Sequence, residues 1–407
     1  MYSKKLIQDI ENELKALQQA GKFKVERELE GAQGPEVEIN SKKVLMFASN
    51  NYLGLANHPE IVKASKEAID KYGFGLSSVR FISGTETIHK ILEKKLSEFL
   101  GTEDVILYST NFMANLGFFA TITNEALGST EYIDAIYSDE LNHASIIDSF
   151  KLCKKENVVK RIYPHGDLVA LEKILEEDET KNYRFKIIVT DGVFSMEGYL
   201  AQLPKIVELS KKYETLVFVD DAHAIGVLGK TGAGTPEHFG LHGKIDVLSG
   251  TFGKALGGAV GGYIAGKKEI IELLRQKSRT YLFSNSVPPS VVIASIRALD
   301  LLKEKPELLK KVRENSEYFR NGVKKMGFNV LEGDHPIVPV MLGDAAKTQE
   351  MSKKLLEKGL FVVGLWFPVV PEGTARLRFQ LSAAHTREQI DQALKIMGEV
   401  GKEMKIV

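Results

Sequence analysis

The chain has 407 residues, of which 43% are apolar, and at roughly 150 residues per domain this length predicts two or three domains. Its 54 basic and 54 acidic side chains balance, so we expect no nucleic-acid or membrane-surface partner, because those functions need a basic excess. Cys153 is the only cysteine, which excludes an intrachain disulfide and zinc sites built on paired thiolates, and we expect it to be a small buried hydrophobe.

The N-terminal segment carries apolar side chains at helical spacing. Leu6, Ile10, Leu14 and Leu17 recur among Lys, Glu and Gln, which predicts an amphipathic helix lying on the body of the protein. The segment does not resemble a secretory signal, and no run approaches the roughly 18 apolar residues of a membrane span. We therefore expect a cytoplasmic protein without a membrane segment.

A second amphipathic stripe precedes residue 101. Gly101 is predicted to close this helix, with Thr85 or Thr87 as its cap. The buried stripe is predicted to consist of Ile88, Ile91, Leu92, Leu96 and Phe99.

From about residue 100 to 265, short β-branched runs alternate with helical segments. This pattern predicts an α/β fold with a parallel sheet covered by helices. No crossover helix fits before the last run, so we expect that strand to be antiparallel and the sheet to be mixed but mainly parallel. The predicted strands are 104–109, 135–138, 186–190, 215–220, 245–249 and 260–265.

The pattern changes beyond residue 327 to short alternating strands and two helices, which predicts a smaller α+β domain. We predict an N-terminal segment over 1–55 that packs with this small domain, a large ligand-binding domain over 56–295, and the small domain over 296–407. The helices predicted after the sheet are 287–303, 307–325, 347–358 and one from 386, and the strands are 329–331, 337–341 and 375–381.

Polar residues that end apolar runs mark the candidate site, because ligands of open α/β sheets lie at the carboxyl ends of the strands. Asp220 ends one run and His223 follows it, Asp191 ends another and Ser195 follows it, and Lys254 comes after the run at 245–249. We therefore expect these side chains to meet at one edge of the sheet.

Three other motifs fail on spacing. The glycine-rich turn around Lys254 lacks the four-residue gap and the following Ser or Thr of a triphosphate-binding loop. The glycines at 229–234 do not open a helix directly after a strand, as a dinucleotide fingerprint requires. His238 and His242 lack the glutamate of a zinc protease, so we expect them to be solvated or core residues, and we predict no metal site.

The remaining residues fit a covalently held electron sink. A lysine amine forms a Schiff base with the aldehyde of pyridoxal phosphate, and a carboxylate keeps the pyridine nitrogen protonated, so the ring absorbs carbanion charge. Taken singly, Lys254 is explained as a solvated turn, Asp220 as a helix cap and His223 as a satisfied core group. Their combination at strand ends predicts a cofactor site.

Five motifs in order resemble those of the α-oxoamine synthases, which are fold-type I pyridoxal phosphate enzymes that condense an amino acid with an acyl-CoA. The resemblance runs nearly end to end and implies the fold of that class. The motifs are Asn50-Asn-Tyr-Leu-Gly-Leu, Asn142-His143-Ala-Ser-Ile, Asp191-Gly-Val-Phe-Ser195-Met, Asp220-Asp-Ala-His223 and Gly250-Thr-Phe-Gly-Lys254.

The resemblance implies catalytic and cofactor-binding roles at matching positions. Lys254 would carry the cofactor and move the Cα proton, Asp220 would hold the pyridine nitrogen, and His143 would stack on the ring face. His223 and Ser195 would contact the O3′ side of the ring. Without the resemblance, His143 is better explained as a locally hydrogen-bonded histidine at a helix start.

The resemblance also implies a phosphate site. The phosphate would lie on the backbone N–H groups of Asn111 and Phe112, where a strand ends and a helix begins with unpaired donors, and Thr251 would add a hydroxyl. Ser284 and Asn285 would reach it from a second copy, which implies a homodimer with shared active sites. Many relatives have cysteine where this chain has Asn111, a departure of little consequence if the contact is through the backbone.

Substrate contacts are implied near the C-terminus and near residue 50. The run at 375–381 alternates apolar and polar residues, which gives one polar face. Arg378 would bind the carboxylate of the amino acid through its planar guanidinium, and Arg376, on the same face, is the alternative. Asn50 would be a further contact, although Asn51 would serve the same chemistry and an ordinary turn explains both.

Further motifs favour the branch of the family that uses glycine and acetyl-CoA. The expected reaction gives 2-amino-3-ketobutyrate and CoA, is reversible and serves threonine breakdown. Alanine with a longer acyl-CoA stays an alternative, because one methyl group is worth only about 1 to 3 kcal/mol of discrimination, and so does a non-catalytic regulatory subunit. The motifs begin at Ala255, Tyr281, His335 and Ala375.

Overall fold

The computed structural model describes residues 3–19, 22–129 and 131–407 of the chain. The helices in these ranges are α1 (Lys4–Gln19), α2 (Pro59–Tyr72), α3 (Thr87–Leu100), α4 (Asn111–Asn124), α5 (Ala144–Leu152), α6 (Leu168–Glu177), α7 (Leu203–Tyr213), α8 (Thr235–His238), α9 (Lys268–Lys277), α10 (Arg279–Leu282), α11 (Pro289–Glu304), α12 (Glu307–Lys325), α13 (Ala345–Glu357) and α14 (Arg387–Glu403). The strands are β1 (Glu36–Ile39), β2 (Lys42–Met46), β3 (Asp104–Tyr108), β4 (Asp134–Asp139), β5 (Val158–Tyr163), β6 (Lys186–Asp191), β7 (Leu216–Asp220), β8 (Val247–Thr251), β9 (Gly262–Gly266), β10 (Ile337–Gly343), β11 (Leu360–Phe361), β12 (Val363–Leu365) and β13 (Ala375–Gln380).

The largest sheet has seven strands in the order β3-β9-β8-β7-β6-β4-β5. Strand β9 is antiparallel to both of its neighbours, whereas the other pairs are parallel. The predicted mixed, mainly parallel sheet with an antiparallel last strand is therefore confirmed. Strand β5 was not predicted, because it lies at the sheet edge, where Lys160 and Arg161 interrupt its apolar run.

Apolar side chains fill both faces of this sheet. Val105 and Val217 pack in the core on one face, while Ile106 and Phe218 pack in the core on the other. Because successive side chains of a strand point to opposite faces, strands that are covered on both sides read as continuous apolar runs. This burial leaves the polar residues at the strand ends as the accessible chemistry of the sheet.

Two smaller three-stranded sheets, β1-β2-β11 and β10-β13-β12, form a second unit with α12, α13 and α14. Its core includes Phe47, Phe319 and Phe379. Strand β2 pairs in parallel with β11, so the N-terminal segment joins this unit. The strand predicted at 329–331 is a single bridge between Val330 and Val340, and the proposed boundaries 1–55, 56–295 and 296–407 stay a prediction.

Three local predictions were wrong. Ile91 of the predicted buried stripe is 46% exposed, and the other two concern α1 and the cap of α3. Helix α1 forms, but none of its residues is buried, and Leu6 and Ile10 are 50% and 47% exposed; an amphipathic pattern predicts an apolar face without fixing what covers it. Helix α3 is capped by Glu86, whose side chain accepts from the backbone while His89 closes the capping box. Thr85 is not the cap because its hydroxyl donates to the Arg80 carbonyl.

Two further observations bear on the sequence predictions. Cys153 is buried, as expected for a small hydrophobe. Among the described residues, no helix has the length and apolar character that crossing a membrane requires.

Candidate active site

The carboxyl ends of the parallel strands and the start of α4 surround a cavity of about 200 Å³. Seven of the predicted site residues line it together with three further residues. The lining residues are Asn111, Phe112, His143, Asp191, Val193, Asp220, Ala222, His223, Thr251 and Lys254. The fold thus brings residues from five separate parts of the chain to one place, as expected for strand ends of an α/β sheet.

Lys254 lies in the turn between the antiparallel strands β8 and β9. In the part of the chain that the structure describes, no hydrogen bond or ion pair joins its ammonium to another group. Burial lowers its pKa to about 8, although Asp220 and Asp191 oppose this shift. A substantial neutral fraction therefore exists near pH 8, and the neutral amine is the nucleophilic form.

Asp220 ends β7, and three N–H donors hold its carboxylate. The backbone N–H of Ala222 donates to Oδ1 at 3.0 Å, and the side-chain amide of Asn111 lies 3.2 and 3.0 Å from the two oxygens. The side-chain amide of Asn115 donates to Oδ2 at 2.6 Å. These contacts from two elements fix the plane of the carboxylate.

His143 begins α5, and its ring packs edge-on to Phe112 at 6.4 Å between centroids. Its Nδ1 accepts from the backbone N–H of Ser145 at 3.2 Å. Burial lowers the pKa of His143, with Lys254 adding to the effect and Asp220 opposing it. The imidazole is therefore held in its neutral form near pH 7.

His223 is buried beside Tyr52, a residue that the sequence analysis did not identify. The Tyr52 hydroxyl lies 2.9 Å from Nδ1 of His223. Burial lowers the pKa of His223 well below its usual value and raises the pKa of Tyr52 to about 12. Both side chains are therefore neutral at physiological pH.

The start of α4 offers an anion site. Thr110 caps the helix by accepting from Met113 N–H through its side chain, which leaves the N–H groups of Asn111 and Phe112 as unpaired first-turn donors within the described ranges. A Cβ at Gly262 would lie 2.3 Å from the Asn111 nitrogen, so only glycine lets β9 pass beneath this turn. The residues present therefore fit a phosphate group.

The other residues predicted to bind the phosphate differ in their position. Thr251 lies at the cavity, whereas Ser284 and Asn285 do not. Thr251 lines the cavity, but its hydroxyl donates to the Gly261 carbonyl at 3.0 Å. Ser284 and Asn285 do not line the cavity of their own chain. Instead, the Asn285 carbonyl accepts from the Ser109 hydroxyl at 2.6 Å, and contact with a second copy stays a prediction.

The two arginines of β13 differ in their partners. Arg376 forms a buried ion pair with Glu197 at 2.8 Å. Arg378 donates to the Ser195 carbonyl at 2.8 Å through Nη1, while its buried Nε has no partner in the described ranges. Arg378 therefore keeps a donor for a ligand carboxylate, which supports it over Arg376, and Ser195 contributes its backbone to this contact.

The two asparagines at 50 and 51 also differ. The side chain of Asn51 accepts from the Ala56 N–H at 3.1 Å and so stabilises a turn. The side chain of Asn50 accepts from Gln380 and from Tyr52, the latter at 3.3 Å. Asn50 therefore belongs to the hydrogen-bonded group that includes Arg378, because Gln380 also faces that arginine.

A second, apolar groove of about 540 Å³ lies between residues 22–33, helix α13 and residues 361–369. Strand pairing sets Val363 directly opposite Arg378, and Ser49 at the groove precedes Asn50. The charged residues of its lining are all basic, namely Lys22, Lys24, Arg27 and Lys353. The groove therefore suits an apolar chain with an anionic group.

Comparisons with known proteins agree with this geometry. Residues 42–397 match the aminotransferase class I and II family. The chain is 46% identical to 2-amino-3-ketobutyrate coenzyme A ligase of Salmonella typhimurium over 97% of both chains, and 46% identical to 8-amino-7-oxononanoate synthase of Thermoanaerobacter pseudethanolicus over 98% of both. A solved structure of a lysine-to-alanine variant of serine palmitoyltransferase from S. paucimobilis, with a bound PLP–myriocin aldimine, superposes with a TM-score of 0.90 at 31% identity, over all of both chains.

Proposed function

The chain belongs to the aminotransferase class I and II family as an α-oxoamine synthase, and on that premise we propose that it condenses glycine with acetyl-CoA. Its fold is that of the fold-type I enzymes, and its cofactor is pyridoxal 5′-phosphate. The proposed products are 2-amino-3-ketobutyrate and CoA, and the same site would cleave that ketone in reverse. The observation that carries the proposal is the unpaired Nε of Arg378, whose positive charge is close enough to lower the pKa of Lys254 and of His223, two residues that line the cavity.

Different residues of the cavity would hold different parts of the cofactor. The N–H groups of Asn111 and Phe112 would hold the phosphate, and Asp220 would hold the pyridine nitrogen. When bound, pyridoxal phosphate supplies an electron sink that stabilises negative charge on the Cα of the amino acid. His143 would cover one face of the ring, and His223 would lie along its edge.

Lys254 and Arg378 would handle the amino acid. Arg378 would bind its carboxylate through Nε and Nη2, which fixes the Cα–H bond in one orientation. The Lys254 amine, whose pKa of about 8 keeps part of it neutral, would take the Cα proton and later return it. The carbon would then attack the thioester carbonyl, and the CoA thiolate would leave.

The second candidate function is the condensation of alanine with a longer acyl-CoA. Two observations favour it, namely the relative named 8-amino-7-oxononanoate synthase at the same identity and the apolar groove beside Arg378. An acetyl group would fill little of a groove of about 540 Å³. The glycine reaction stays the first proposal because the sequence motifs after Lys254 resemble that branch.

A substrate matrix separates the two candidates. Purified enzyme would be given glycine or alanine with acetyl-CoA or with CoA esters of longer chains, and CoA release would be measured. The first proposal expects the highest kcat/KM for glycine with acetyl-CoA. A higher kcat/KM for alanine with a longer ester would replace it with the second candidate.

We also propose that the enzyme is a homodimer in which Ser284 and Asn285 complete the partner's phosphate site. Three large side chains close in sequence or in the fold to Ser284, Asn285 and the phosphate site are exposed in the single chain. Their exposed fractions are 68% for Phe283, 62% for Phe81 and 40% for Phe112. Mixing inactive Lys254→Ala chains with inactive Ser284→Ala/Asn285→Ala chains should restore activity, because a hybrid dimer has one intact site. If hybrids form but stay inactive, the sites are not shared.

A further inference from the structure

The buried side-chain amide of Asn115 links Asp220, which would hold the pyridine nitrogen of the cofactor, with His143, which would cover the face of its ring. Asn115, on α4, is fully buried, and its Nδ2 donates both to Asp220 Oδ2 at 2.6 Å and to Ser145 Oγ at 2.8 Å. Ser145, also fully buried, lies 2.8 Å from Nδ1 of His143 through the same oxygen. A continuous hydrogen-bonded path therefore runs from Asp220 through Asn115 and Ser145 to His143.

The chemistry of the groups fixes the direction of each hydrogen bond. A side-chain NH₂ has two hydrogens, and Asn115 uses one on the carboxylate and one on the Ser145 oxygen. That oxygen already accepts, so its own hydrogen is available for His143 Nδ1. The backbone N–H of Ser145 also donates to Nδ1 at 3.2 Å, so Nδ1 is an acceptor and the neutral ring carries its proton on Nε2.

We propose that Asn115 is a positioning residue that fixes the Asp220 carboxylate and, through Ser145, holds His143 in the tautomer with its proton on Nε2. This inference rests on the proposed cofactor site and adds two residues to it. An amide is the side chain that suits this place, because a carboxylate at 115 would repel Asp220. A methyl group would remove the donor to Ser145 Oγ and would leave Asp220 Oδ2 with the Asn111 amide alone.

The link to His143 has a measurable consequence. A hydroxyl that donates to Nδ1 stabilises the neutral imidazole, so its removal raises the pKa of that ring. The titratable groups that face His143 are Asp220, Lys254 and His223, and Asp191 accepts from its backbone N–H. These groups are unchanged in Ser145→Ala, so that variant isolates the contribution of the hydroxyl.

The experiment uses the enzyme loaded with pyridoxal phosphate and no substrate. The pKa of His143 would be measured by NMR titration of the ring signals, assigned with His143→Ala. Ser145→Ala should raise the pKa of His143, with an increase in proton affinity of about tenfold for the loss of one hydrogen bond. Ser145→Thr keeps the hydroxyl and should return this pKa to the wild-type value. Ser149→Ala is the matched control, because it removes a buried hydroxyl of the same helix that donates to the Ser145 carbonyl instead.

Asn115→Ala tests the other end of the path. It should weaken the binding of pyridoxal phosphate about 10- to 100-fold, as expected for the loss of one hydrogen bond to a charged group, and should raise the pKa of His143. An unchanged or lowered His143 pKa in Ser145→Ala, or an Asn115→Ala affinity equal to that of Ser149→Ala, overturns the inference. These readouts need no turnover, so failure of the wild type to use glycine contradicts the proposed function alone.

Discussion

The two sides of the candidate site are built differently. On the side formed by the large sheet, which we call the cofactor wall (His143, Asp220, His223 and Lys254), each group except Lys254 has hydrogen-bond partners. Asp220 and His223 are held by side chains of other elements, and His143 is held by Ser145 of its own helix and, through its backbone N–H, by Asp191. On the side formed by β13, Arg378 keeps a buried donor without a partner within the described ranges. The difference shows that His143, Asp220 and His223 are already positioned before a ligand binds. Arg378 and Lys254 instead keep nitrogen atoms that can bond to a ligand.

The largest expected effect comes from Lys254 on the cofactor wall. Lys254→Ala removes both the proposed attachment point and the proposed base, so turnover should fall by about 10⁴-fold or more, beyond what a base alone contributes. Steady-state CoA release and the visible absorbance of the cofactor would measure this. The control is Lys244→Ala, which changes an exposed lysine just before β8, the strand that precedes Lys254, and it should behave as the wild type. Equal turnover of the two variants would contradict the proposed role of Lys254.

The two arginines of β13 test the side of the site that would bind the amino acid. Arg378→Ala should raise KM for the amino acid about 10- to 100-fold, because a hydrogen bond to a charged group is worth about 1.5 to 3 kcal/mol. It should lower the free energy of unfolding by no more than about 1 to 3 kcal/mol, because the Ser195 carbonyl loses this donor. Arg376→Ala should instead lower the free energy of unfolding by about 3 to 5 kcal/mol, since it leaves the Glu197 carboxylate buried without its partner. Kinetics and urea unfolding would separate the variants, and an exchange of these two outcomes would assign the carboxylate to Arg376.

The pKa of Lys254 predicts how cofactor uptake depends on pH. Because burial lowers this pKa to about 8, the neutral amine that would attack the aldehyde is scarce below that pH and dominant above it. The rate of incorporation into cofactor-free protein should rise about tenfold per pH unit below pH 8 and then level off. Stopped-flow absorbance after mixing would show this, and a rise that continues to pH 10 would indicate an ordinary exposed lysine.

The smallest effect is expected at Tyr52. Tyr52→Phe removes the hydroxyl beside His223 Nδ1 and should lower the free energy of unfolding by about 1 to 3 kcal/mol, because a buried nitrogen loses its partner. Tyr213→Phe, whose hydroxyl donates to Glu176 near the surface, is the matched control. Thermal unfolding of the loaded enzyme would compare them, and equal losses would show that His223 is held without Tyr52.

The sequence was sufficient to predict that the residues of the cofactor wall meet at one cavity, because they lie next to strand ends that are visible in the sequence. Asp220 and Lys254 follow runs whose strands form where predicted within one or two residues. Tyr52 was missed because its partner His223 is 171 positions away, and no local pattern encodes that contact. Asn115 was missed although it lies one helical turn after Asn111, a spacing that places both on one face of α4.

The substrate side was predicted less well for a related reason. Alternation on β13 places Arg376 and Arg378 on the same face, so the sequence leaves them equivalent. Only the fold brings Glu197 to one and leaves the other with an unpaired nitrogen. Helix α1 shows the same limit, since its pattern predicted the helix but not the exposure of its apolar face.

Gly262 has a consequence for anyone who varies this protein. A single methyl group there would collide with the backbone of Asn111 and with that of Thr110, although glycine itself contributes no side chain to the site. In a saturation mutagenesis screen scored by growth, position 262 should tolerate substitution as poorly as position 254. Libraries that aim to change the specificity of the enzyme should therefore hold this codon constant.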